Sequence, residues 1–350
     1  MKNNRLTIGL ILGIFLILTT ASQAQDKKFK VGTIAFYNLE NLFDTLDTPD
    51  VNDVDFTPAG SSMWNAARYE KKLANMSEAI TQIGSEVFPG GPAIIGVSEV
   101  ENRQVVMDLA NTPKMKAAGY QFVHFDGPDR RGIDVALLYR PAVFRVTSTR
   151  SARLIVADKP DFRTRDQLVV SGLFYGEPID VIVNHWPSRS GGEKSSIPLR
   201  RAAAELCRSL VDSIYKSNST AKIIIMGDLN DDPTDPSLTE GLKTISDIDN
   251  VKTGDLFNPA AQMLKDGIGS LAYRDSWNLF DQIIVSEPLL NAKAGKLKFL
   301  KYKVFNANFL TQKDGQFAGY PFRTYSGGAY TGGYSDHFPT YIIVVKEIIK

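Results

Sequence analysis

The fold is decided by the segment Ile223-Ile224-Ile225-Met226-Gly227-Asp228-Leu229-Asn230-Asp231-Asp232-Pro233, an apolar run that ends abruptly in carboxylate and amide side chains. A distant segment has the reverse order, because Tyr334-Ser335-Asp336-His337-Phe338-Pro339 leads into the apolar Tyr341–Val345. Each pattern predicts a buried strand with polar residues at its tip. Asp, Asn and His are poor strand residues, and buried carboxylates need a partner or a metal. We expect both tips to share one site.

Similar apolar runs recur along the chain and alternate with a few amphipathic stretches. Strands are predicted at Lys30–Tyr37, Ala93–Val97, Gln121–Phe125, Ile133–Tyr139, Phe144–Ile155, Gln167–Phe174, Ile179–Val183, Lys222–Met226, Asp281–Val285, Lys298–Asn306 and Thr340–Val345. Helices are predicted near Trp64–Ile83, Arg103–Ala118 and Leu199–Ile214. The segment Asp247–Tyr273 lacks a clear period and is predicted to be a long surface excursion.

The spacing of these runs indicates how the sheets are built. Hairpin-sized gaps separate the strands between Phe144 and Val183, so the sheets cannot be wholly parallel. A strand that is apolar on both faces, such as Ile223–Met226, must be covered on both sides. The sequence therefore predicts an α/β protein in which two mixed sheets pack face to face with helices outside.

Composition sets limits on stability and on partners. The chain has 350 residues, 43% of them apolar, which is enough to form a substantial core. Its one cysteine, Cys207, excludes an internal disulfide and lies in a helical apolar pattern, which favours a packed thiol. Lys and Arg total 40 against 39 for Asp and Glu, so the bulk charge shows no nucleic-acid footprint.

The first residues have the pattern of an export signal. Lys2 and Arg5 precede an apolar stretch, and Ser22-Gln23-Ala24 supplies the small residues that a signal peptidase accepts. We predict a signal peptide at residues 1–24, a single domain at residues 25–350, and a secreted or periplasmic location. The apolar stretch is shorter than the roughly 20 residues of a membrane span, so we expect no retained span after cleavage.

Polar residues collect at the ends of the predicted strands. In antiparallel neighbours the start of one strand lies beside the end of the next, so all these clusters can line one edge. Their side chains are Asn38, Glu99, His185, Asp228 with Asn230, Asp281, and Asp336 with His337.

These residue types suit a hard cation. Oxygen ligands are what Mg²⁺, Mn²⁺ and Ca²⁺ take, and they are offered here by Glu99, Asp336, Asn38, Asp228 and Asn230. A zinc site would need His and Cys residues at closer spacing. The chain has 3 histidines, and the one outside these clusters, His124, is interpreted as a structural strand residue.

The order of the motifs resembles that of the endonuclease/exonuclease/phosphatase superfamily, the deoxyribonuclease I-like proteins. The resemblance extends from about Gly32 to Val345. The sequence around His185 is similar to that of exported bacterial nuclease-like members of the superfamily. The resemblance implies a four-layered α/β sandwich. It also implies that Glu99 is the principal metal ligand, with Asn38 and Asp336 completing or flanking the site.

The resemblance implies roles for the remaining tips as well. Asp281 would hold the imidazole of His337, Asp228 and Asn230 would orient the attacking water and the scissile phosphate, and His185 would steady the phosphoryl oxygens. Whether His337 or Asp228 removes the proton stays open. Substrate contact is expected for three further residues, with a purely structural alternative for each: Arg165, Asp134 and Arg189.

The resemblance favours an exported, divalent-metal-dependent phosphodiesterase, a monomeric nuclease that acts on DNA or RNA. Glu101 and Asn102 stand where deoxyribonuclease-like members carry an Arg for the minor groove, which speaks against duplex DNA. The alternatives are a phosphatase or a phospholipase C-like enzyme acting on a phosphorylated small molecule or lipid, and a non-catalytic binding protein on the same scaffold.

Overall fold

The computed structural model describes residues 27–349, so the predicted signal peptide lies outside the described residues. The strands, in chain order, are β1 (Phe29–Leu42), β2 (Ile94–Val100), β3 (Gln121–His124), β4 (Asp134–Tyr139), β5 (Phe144–Ala152), β6 (Gln167–Phe174), β7 (Glu177–His185), β8 (Ile223–Asp228), β9 (Thr244–Ile245), β10 (Leu256–Phe257), β11 (Leu271–Tyr273), β12 (Ser276–Asn278), β13 (Asp281–Ser286), β14 (Leu297–Val304), β15 (Tyr325–Ser326), β16 (Ala329–Tyr330) and β17 (Thr340–Glu347). The helices are α1 (Ala66–Gln82), α2 (Arg103–Asn111), α3 (Pro113–Ala118), α4 (Glu193–Ser217) and α5 (Ala260–Lys265).

Two large sheets organise the strands. The first sheet has the order β14-β17-β1-β2-β4-β3, and the second has the order β5-β6-β7-β8-β13-β10-β9. Both sheets are mixed: β1 runs parallel to β2 and antiparallel to β17, while β8 runs parallel to β7 and antiparallel to β13. The predicted pair of mixed sheets with outer helices is therefore confirmed.

Strand β8 shows why its sequence is apolar on both faces. Ile224 and Met226 join the core between the two sheets, whereas Ile223 and Ile225 pack under α4 with Cys207. All five side chains are fully buried, and each large apolar side chain contributes about 1.5–3 kcal/mol. Cys207 is the packed thiol that the helical pattern predicted.

Two sequence predictions need correction. The helix predicted over Arg103–Ala118 is broken between α2 and α3, because Pro113 restricts the residue before it and lacks an N–H. The segment Asp247–Tyr273 is not only a surface excursion, since its strand β10 pairs with β13 and Leu256 is fully buried. A strand of two residues is too short to show a period. None of the helices described between residues 27 and 349 has the length and apolarity needed to cross a bilayer.

Candidate active site

The strand tips meet at one edge where the two sheets come together. Asn38 lies beside Ser98 in the first sheet, and Asp228 lies between His185 and Asp281 in the second. Gly227 permits the close approach of β8 to β7, because a Cβ there would lie 2.4 Å from the Asn184 carbonyl oxygen. The Asn38 amide donates to Asp228 Oδ2 at 3.0 Å and so bridges the two sheets.

The backbone is distorted where the first sheet reaches this edge. Glu99 has a φ of +59°, and the pairing register of β2 shifts between Ser98 and Val100. Glu40 and Asn41 also have positive φ, at +47° and +56°. Such conformations cost of order 1–3 kcal/mol each, and bulges next to active sites commonly re-aim a side chain. Here the distortion brings the Glu99 carboxylate to the Asn41 N–H, which donates to Oε2 at 2.9 Å.

His337 is the hub of the polar cluster. Its Nδ1 lies 2.6 Å from Asp281 Oδ2, and its Nε2 lies 3.9 Å from both Asp228 Oδ2 and Asp336 Oδ1. Ser270 Oγ also donates to Asp281 Oδ2 at 2.5 Å. Burial alone would lower the pKa of His337, but the charges of Asp281, Asp336 and Asp228 outweigh it and hold that pKa well above its ordinary value. Asp281 therefore fixes an imidazole ring that favours its charged form.

Asp228, Asn230 and His185 form the other half of the cluster. His185 Nε2 lies 3.6 Å from Asp228 Oδ2, and the Asn230 backbone N–H donates to Asp228 Oδ1 at 3.0 Å. Burial raises the pKa of Asp228 above its ordinary value, while His337 and the Asn38 amide oppose that rise. Burial, followed by the charges of Arg165 and Arg131, lowers the pKa of His185 well below its ordinary value. The two histidines of the cluster thus have opposite charge preferences.

Two carboxylates of the cluster remain open to solvent. The side chains of Glu99 and Asp336 are 14% and 29% exposed, whereas those of Asp228 and Asp281 are 3% and 0% exposed. The nearest cationic groups to the open pair are Arg131, 3.7 Å from Glu99 Oε2, and Arg323, 3.5 Å from Asp336 Oδ2. These two carboxylates and the Asn38 side-chain oxygen, which also accepts the Glu40 N–H at 2.9 Å, are the types of ligand that a hard divalent cation takes.

Sequence reasoning missed a buried ion pair beside this donor set. The Lys72 ammonium on α1 lies 3.8 Å from Glu40 Oε2 and donates to Thr324 Oγ1 at 2.7 Å and to the Tyr334 carbonyl at 2.6 Å. Burial, reinforced by Asp336, raises the pKa of Glu40, and burial lowers the pKa of Lys72. The pair ties α1 to both ends of the β15–β16 hairpin, just before Asp336.

The three residues expected to contact substrate all engage protein groups. Arg165 is buried, donates to the carbonyl oxygens of His185 and Trp186, and pairs with Asp129 at 3.2 Å. It supports the backbone on which His185 sits, and its donors are directed at protein groups.

Arg189 is similarly occupied. Its guanidinium donates to the Asn230 carbonyl at 3.0 Å and pairs with Asp231 and Asp235 at 3.2 and 2.9 Å. It stacks over the Phe280 ring as well. Arg189 therefore holds the loop that follows Asn230.

Asp134 lies at the start of β4, opposite Val100, and belongs to a separate small cluster. Its Oδ2 accepts the Gly127 N–H at 3.1 Å and lies 3.3 Å from His124 Nε2, while Asp126 lies on the other side of the ring. Ligand atoms of His124, Asp126 and Asp134 lie within 4.8 Å of one another. This cluster is distinct from the strand-tip donor set.

The α/β sandwich and a match to a protein family define a class of enzyme for this chain, the phosphoric ester hydrolases. A family model described as Endonuclease/Exonuclease/phosphatase family matches residues 33–346. The chain belongs to this family, as the order of its motifs suggested. A comparison with curated protein sequences finds no match.

Solved structures share the fold at low sequence identity. A family protein from Bacteroides thetaiotaomicron is 18% identical, with a TM-score of 0.53 over 92% of this chain and 97% of that one. A mannosyl-6-phosphatase from the same organism is 19% identical, with a TM-score of 0.51 over 91% and 99%. TDP2 from D. rerio, solved with a single-stranded DNA product, is 15% identical, with a TM-score of 0.52 over 90% and 98%. These likenesses establish the shared sandwich.

Proposed function

We propose that this protein is a divalent-metal-dependent phosphodiesterase that hydrolyses nucleic acid. One observation carries the proposal. Two hydrogen-bonded pairs, His337 with Asp281 and Asn38 with Asp228, link the two sheets. The open carboxylates of Glu99 and Asp336 belong to the same polar cluster. A binding protein would have no chemical reason to keep both imidazoles, their carboxylates and an accessible cation-type donor set at one edge.

Glu99, Asp336 and Asn38 would hold the cation, with Mg²⁺ as the first candidate and Mn²⁺ or Ca²⁺ as alternatives. When bound, such an ion stabilises the charge that develops on the phosphate and on the leaving oxygen. The ligands come from three separate segments of the chain, so the folded sheet edge is required to assemble them.

The protein groups supply orientation and hydrogen-bond donors. Asp281 sets the tautomer and the direction of the His337 ring, whose Nε2 faces Asp228 and Asp336. Asp228 and Asn230 lie together at the tip of β8, where they would orient the attacking water and the scissile phosphate. His185 would donate to the phosphoryl oxygens, and Arg165 holds the backbone beneath it.

The substrate proposal favours single-stranded nucleic acid over duplex DNA. Asn102 caps α2 by accepting the N–H groups of Gln104 and Val105, and Glu101 accepts the Asp44 N–H and the Thr48 hydroxyl. These two side chains support the local fold and offer no cation to a minor groove. Relatives with this fold include a protein solved with a single-stranded DNA product and a mannosyl-6-phosphatase. Both substrate classes therefore belong in the test.

The test is a substrate panel measured with and without Mg²⁺. It contains single-stranded DNA, duplex DNA, RNA, sphingomyelin, inositol phosphates and mannose 6-phosphate. Glu99→Gln and His337→Ala are the inactive controls, and Asp126→Asn is the matched control outside the site. We expect metal-dependent cleavage of single-stranded nucleic acid that both active-site variants abolish.

Other outcomes of the panel point elsewhere. Preference for a phosphomonoester or for sphingomyelin would replace the nuclease proposal with the phosphatase or the phospholipase C-like alternative. No turnover with any divalent ion would favour a non-catalytic binding protein. Activity undiminished in both active-site variants would refute the site itself.

We also propose that the protein is exported and acts as a monomer. The pattern of residues 1–24 supports export. N-terminal sequencing of protein recovered from the periplasm or the medium should begin at Gln25, and light scattering should give one chain per particle. An intact N-terminus on protein retained inside the cell would contradict export.

A further inference from the structure

Two half-exposed arginines flank the open carboxylates and have donors to spare. The Arg131 side chain is 46% exposed, contacts the Asn41 side-chain oxygen, and lies 3.7 Å from Glu99 Oε2. The Arg323 side chain is 40% exposed and lies 3.5 Å from Asp336 Oδ2. Within residues 27–349, neither guanidinium has another side-chain hydrogen bond or ion pair. Each arginine therefore stands next to one of the two carboxylates that a cation would engage.

The backbone that carries each arginine is firmly placed. Asp129 accepts the Arg131 N–H at 2.9 Å and also pairs with the buried Arg165 at 3.2 Å. On the other side, Thr324, the neighbour of Arg323, donates its N–H to Glu40 Oε2 at 2.6 Å. The loops are anchored while the guanidinium tips stay accessible, which is the arrangement that positions a flexible cation over a site.

The two arginines that the sequence indicated as substrate contacts, Arg165 and Arg189, have their donors engaged with protein groups. Arg165 is 8% exposed and directs its three nitrogens at protein acceptors. Arg189 is 24% exposed and has four acceptors. Neither can take up a phosphate without breaking these bonds, which are buried for Arg165 and mostly part-buried for Arg189. Each buried group left unpaired costs about 1–3 kcal/mol. Arg323 would give up only a long contact to a partly exposed carboxylate. Arg131 would give up a long contact to Glu99 and one solvent-exposed hydrogen bond to the Asn41 side-chain oxygen.

We propose that Arg131, which lies beside Glu99, and Arg323, which lies beside Asp336, bind the non-bridging oxygens of the substrate phosphate. This inference rests on the proposed function and adds two substrate-binding residues to the site. Glu99 and Asp336 would hold the cation, whose positive charge would weaken their attraction for the guanidinium groups and leave Arg131 and Arg323 available to an anion. Arginine suits this role because its planar fork gives two parallel hydrogen bonds to phosphate oxygens.

The experiment compares Arg131→Met and Arg323→Met with matched controls in the full chain. Arg130→Met and Arg274→Met are the controls, because each removes one exposed positive charge that contacts groups other than the two carboxylates. The Arg130 side chain donates to the Asp161 carbonyl, and the Arg274 guanidinium lies over the Tyr273 ring. The measurements are kcat/KM on bis(p-nitrophenyl) phosphate, inhibition by inorganic phosphate, half-saturation by Mg²⁺, and Tm.

We expect kcat/KM to fall roughly 10- to 100-fold in each test variant, since a charged hydrogen bond of that worth is lost. Inhibition by phosphate should weaken by a similar factor, while the controls stay within about twofold of wild type. Half-saturation by Mg²⁺ should be unchanged or occur at lower concentration, because a positive charge beside the carboxylates is gone. Damage to the fold would raise the Mg²⁺ requirement and lower Tm instead. The lysine variants should recover only part of the loss.

Several results would overturn the proposal. Values of kcat/KM and phosphate inhibition within twofold of the controls in both methionine variants would remove the two residues from substrate binding. If a methionine variant fails to fold, the lysine variant at the same position is measured instead. Phosphate inhibition of that lysine variant equal to wild type would overturn the role of the arginine at that position. If the wild type hydrolyses nothing, the proposed function fails separately. Calorimetry with inorganic phosphate and Mg²⁺ then tests the arginines, and binding retained in the double methionine variant contradicts their role.

Discussion

The bond between Asp281 and His337 offers a direct quantitative test of the site. Asp281 is fully buried, its Oδ2 lies 2.6 Å from His337 Nδ1, and it also accepts the Ser270 hydroxyl. The substitution Asp281→Asn keeps the size of the side chain and removes its charge. We expect the pKa of His337 to fall, kcat to drop by about 10²–10⁴-fold, and the fold to lose about 3–5 kcal/mol.

The direction of the pKa change follows from the distances between His337 and the surrounding carboxylates. At an effective dielectric of about 20, charges separated by the 2.6 Å between His337 and Asp281 attract by about 6 kcal/mol. Asp228 and Asp336, each 3.9 Å from Nε2, contribute about 4 kcal/mol apiece on the same basis. Burial opposes these attractions by several kcal/mol. Losing the Asp281 charge removes the largest of these attractions, so we expect the pKa of His337 to fall in the Asp281→Asn variant.

The sign of the pH dependence is also fixed. A histidine whose folded-state pKa is raised stabilises the fold fully below its unfolded pKa of about 6.5. That stabilisation is lost as the pH rises through the higher pKa of the folded state. For the wild type we therefore expect the free energy of unfolding to fall above about pH 6.5 through this group. The Asp281→Asn variant should show a smaller decline.

The assay is an NMR titration of the histidine rings in metal-free protein. The chain has 3 histidines, so each ring can be assigned with single substitutions. We expect His337 to titrate well above the ordinary histidine value in the wild type, and His185 to titrate well below it. Urea unfolding at about pH 6 and about pH 9 gives the matching stabilities. A His337 pKa near 6.5 in the wild type, or the same pKa in wild type and Asp281→Asn, would refute the reasoning.

Three further predictions concern separate parts of the molecule. Lys72→Met should lower the free energy of unfolding by about 3–5 kcal/mol, because it leaves Glu40 buried without its partner. In a double-mutant cycle measured by urea unfolding, adding Glu40→Gln should restore part of that loss. Strictly additive effects of the two substitutions would contradict the pairing. Glu99→Gln should weaken Mn²⁺ binding at least tenfold by calorimetry, about 1.4 kcal/mol, while the exposed Glu205→Gln leaves it unchanged; equal affinity in both variants would exclude Glu99 as a ligand. Cys207, whose thiol pKa burial raises to about 12, should resist thiol reagents at about pH 8 until the protein is unfolded, and Cys207→Ala should keep full activity; rapid labelling of the folded protein would contradict its burial.

Much of the sheet structure could be predicted because period and termination are local signals. The run Ile223–Met226 is apolar on both faces, and it lies between the inter-sheet core and α4. Asp228 and His337 could be placed at strand tips for the same reason, since polar residues end apolar runs. Their approach to each other depends on how the two sheets pack, with Asp281 of β13 beside Asp228 of β8 and 2.6 Å from His337. The contact between Asp281 and His337 is the part that the family resemblance implied.

The rest of the site depends on features that no local pattern shows. The positive φ of Glu99 and the shifted register of β2 direct its carboxylate, and neither feature can be predicted from the amino-acid sequence.

Two sequence features did indicate the buried ion pair of Lys72 and Glu40. Lys72 is four residues before Met76 on the apolar stripe of α1, and Glu40 is two residues after Asn38 in β1. A charged residue on an apolar stripe indicates a buried partner, and these two charges are each other's partner.

The most direct measurement is anomalous diffraction from crystals soaked in Mn²⁺. We expect one strong peak within about 2.5 Å of carboxylate oxygens of both Glu99 and Asp336, at the edge where His185 and His337 meet. A peak confined to the His124–Asp134 cluster, or density that touches Glu99 without Asp336, would contradict the shared cation site.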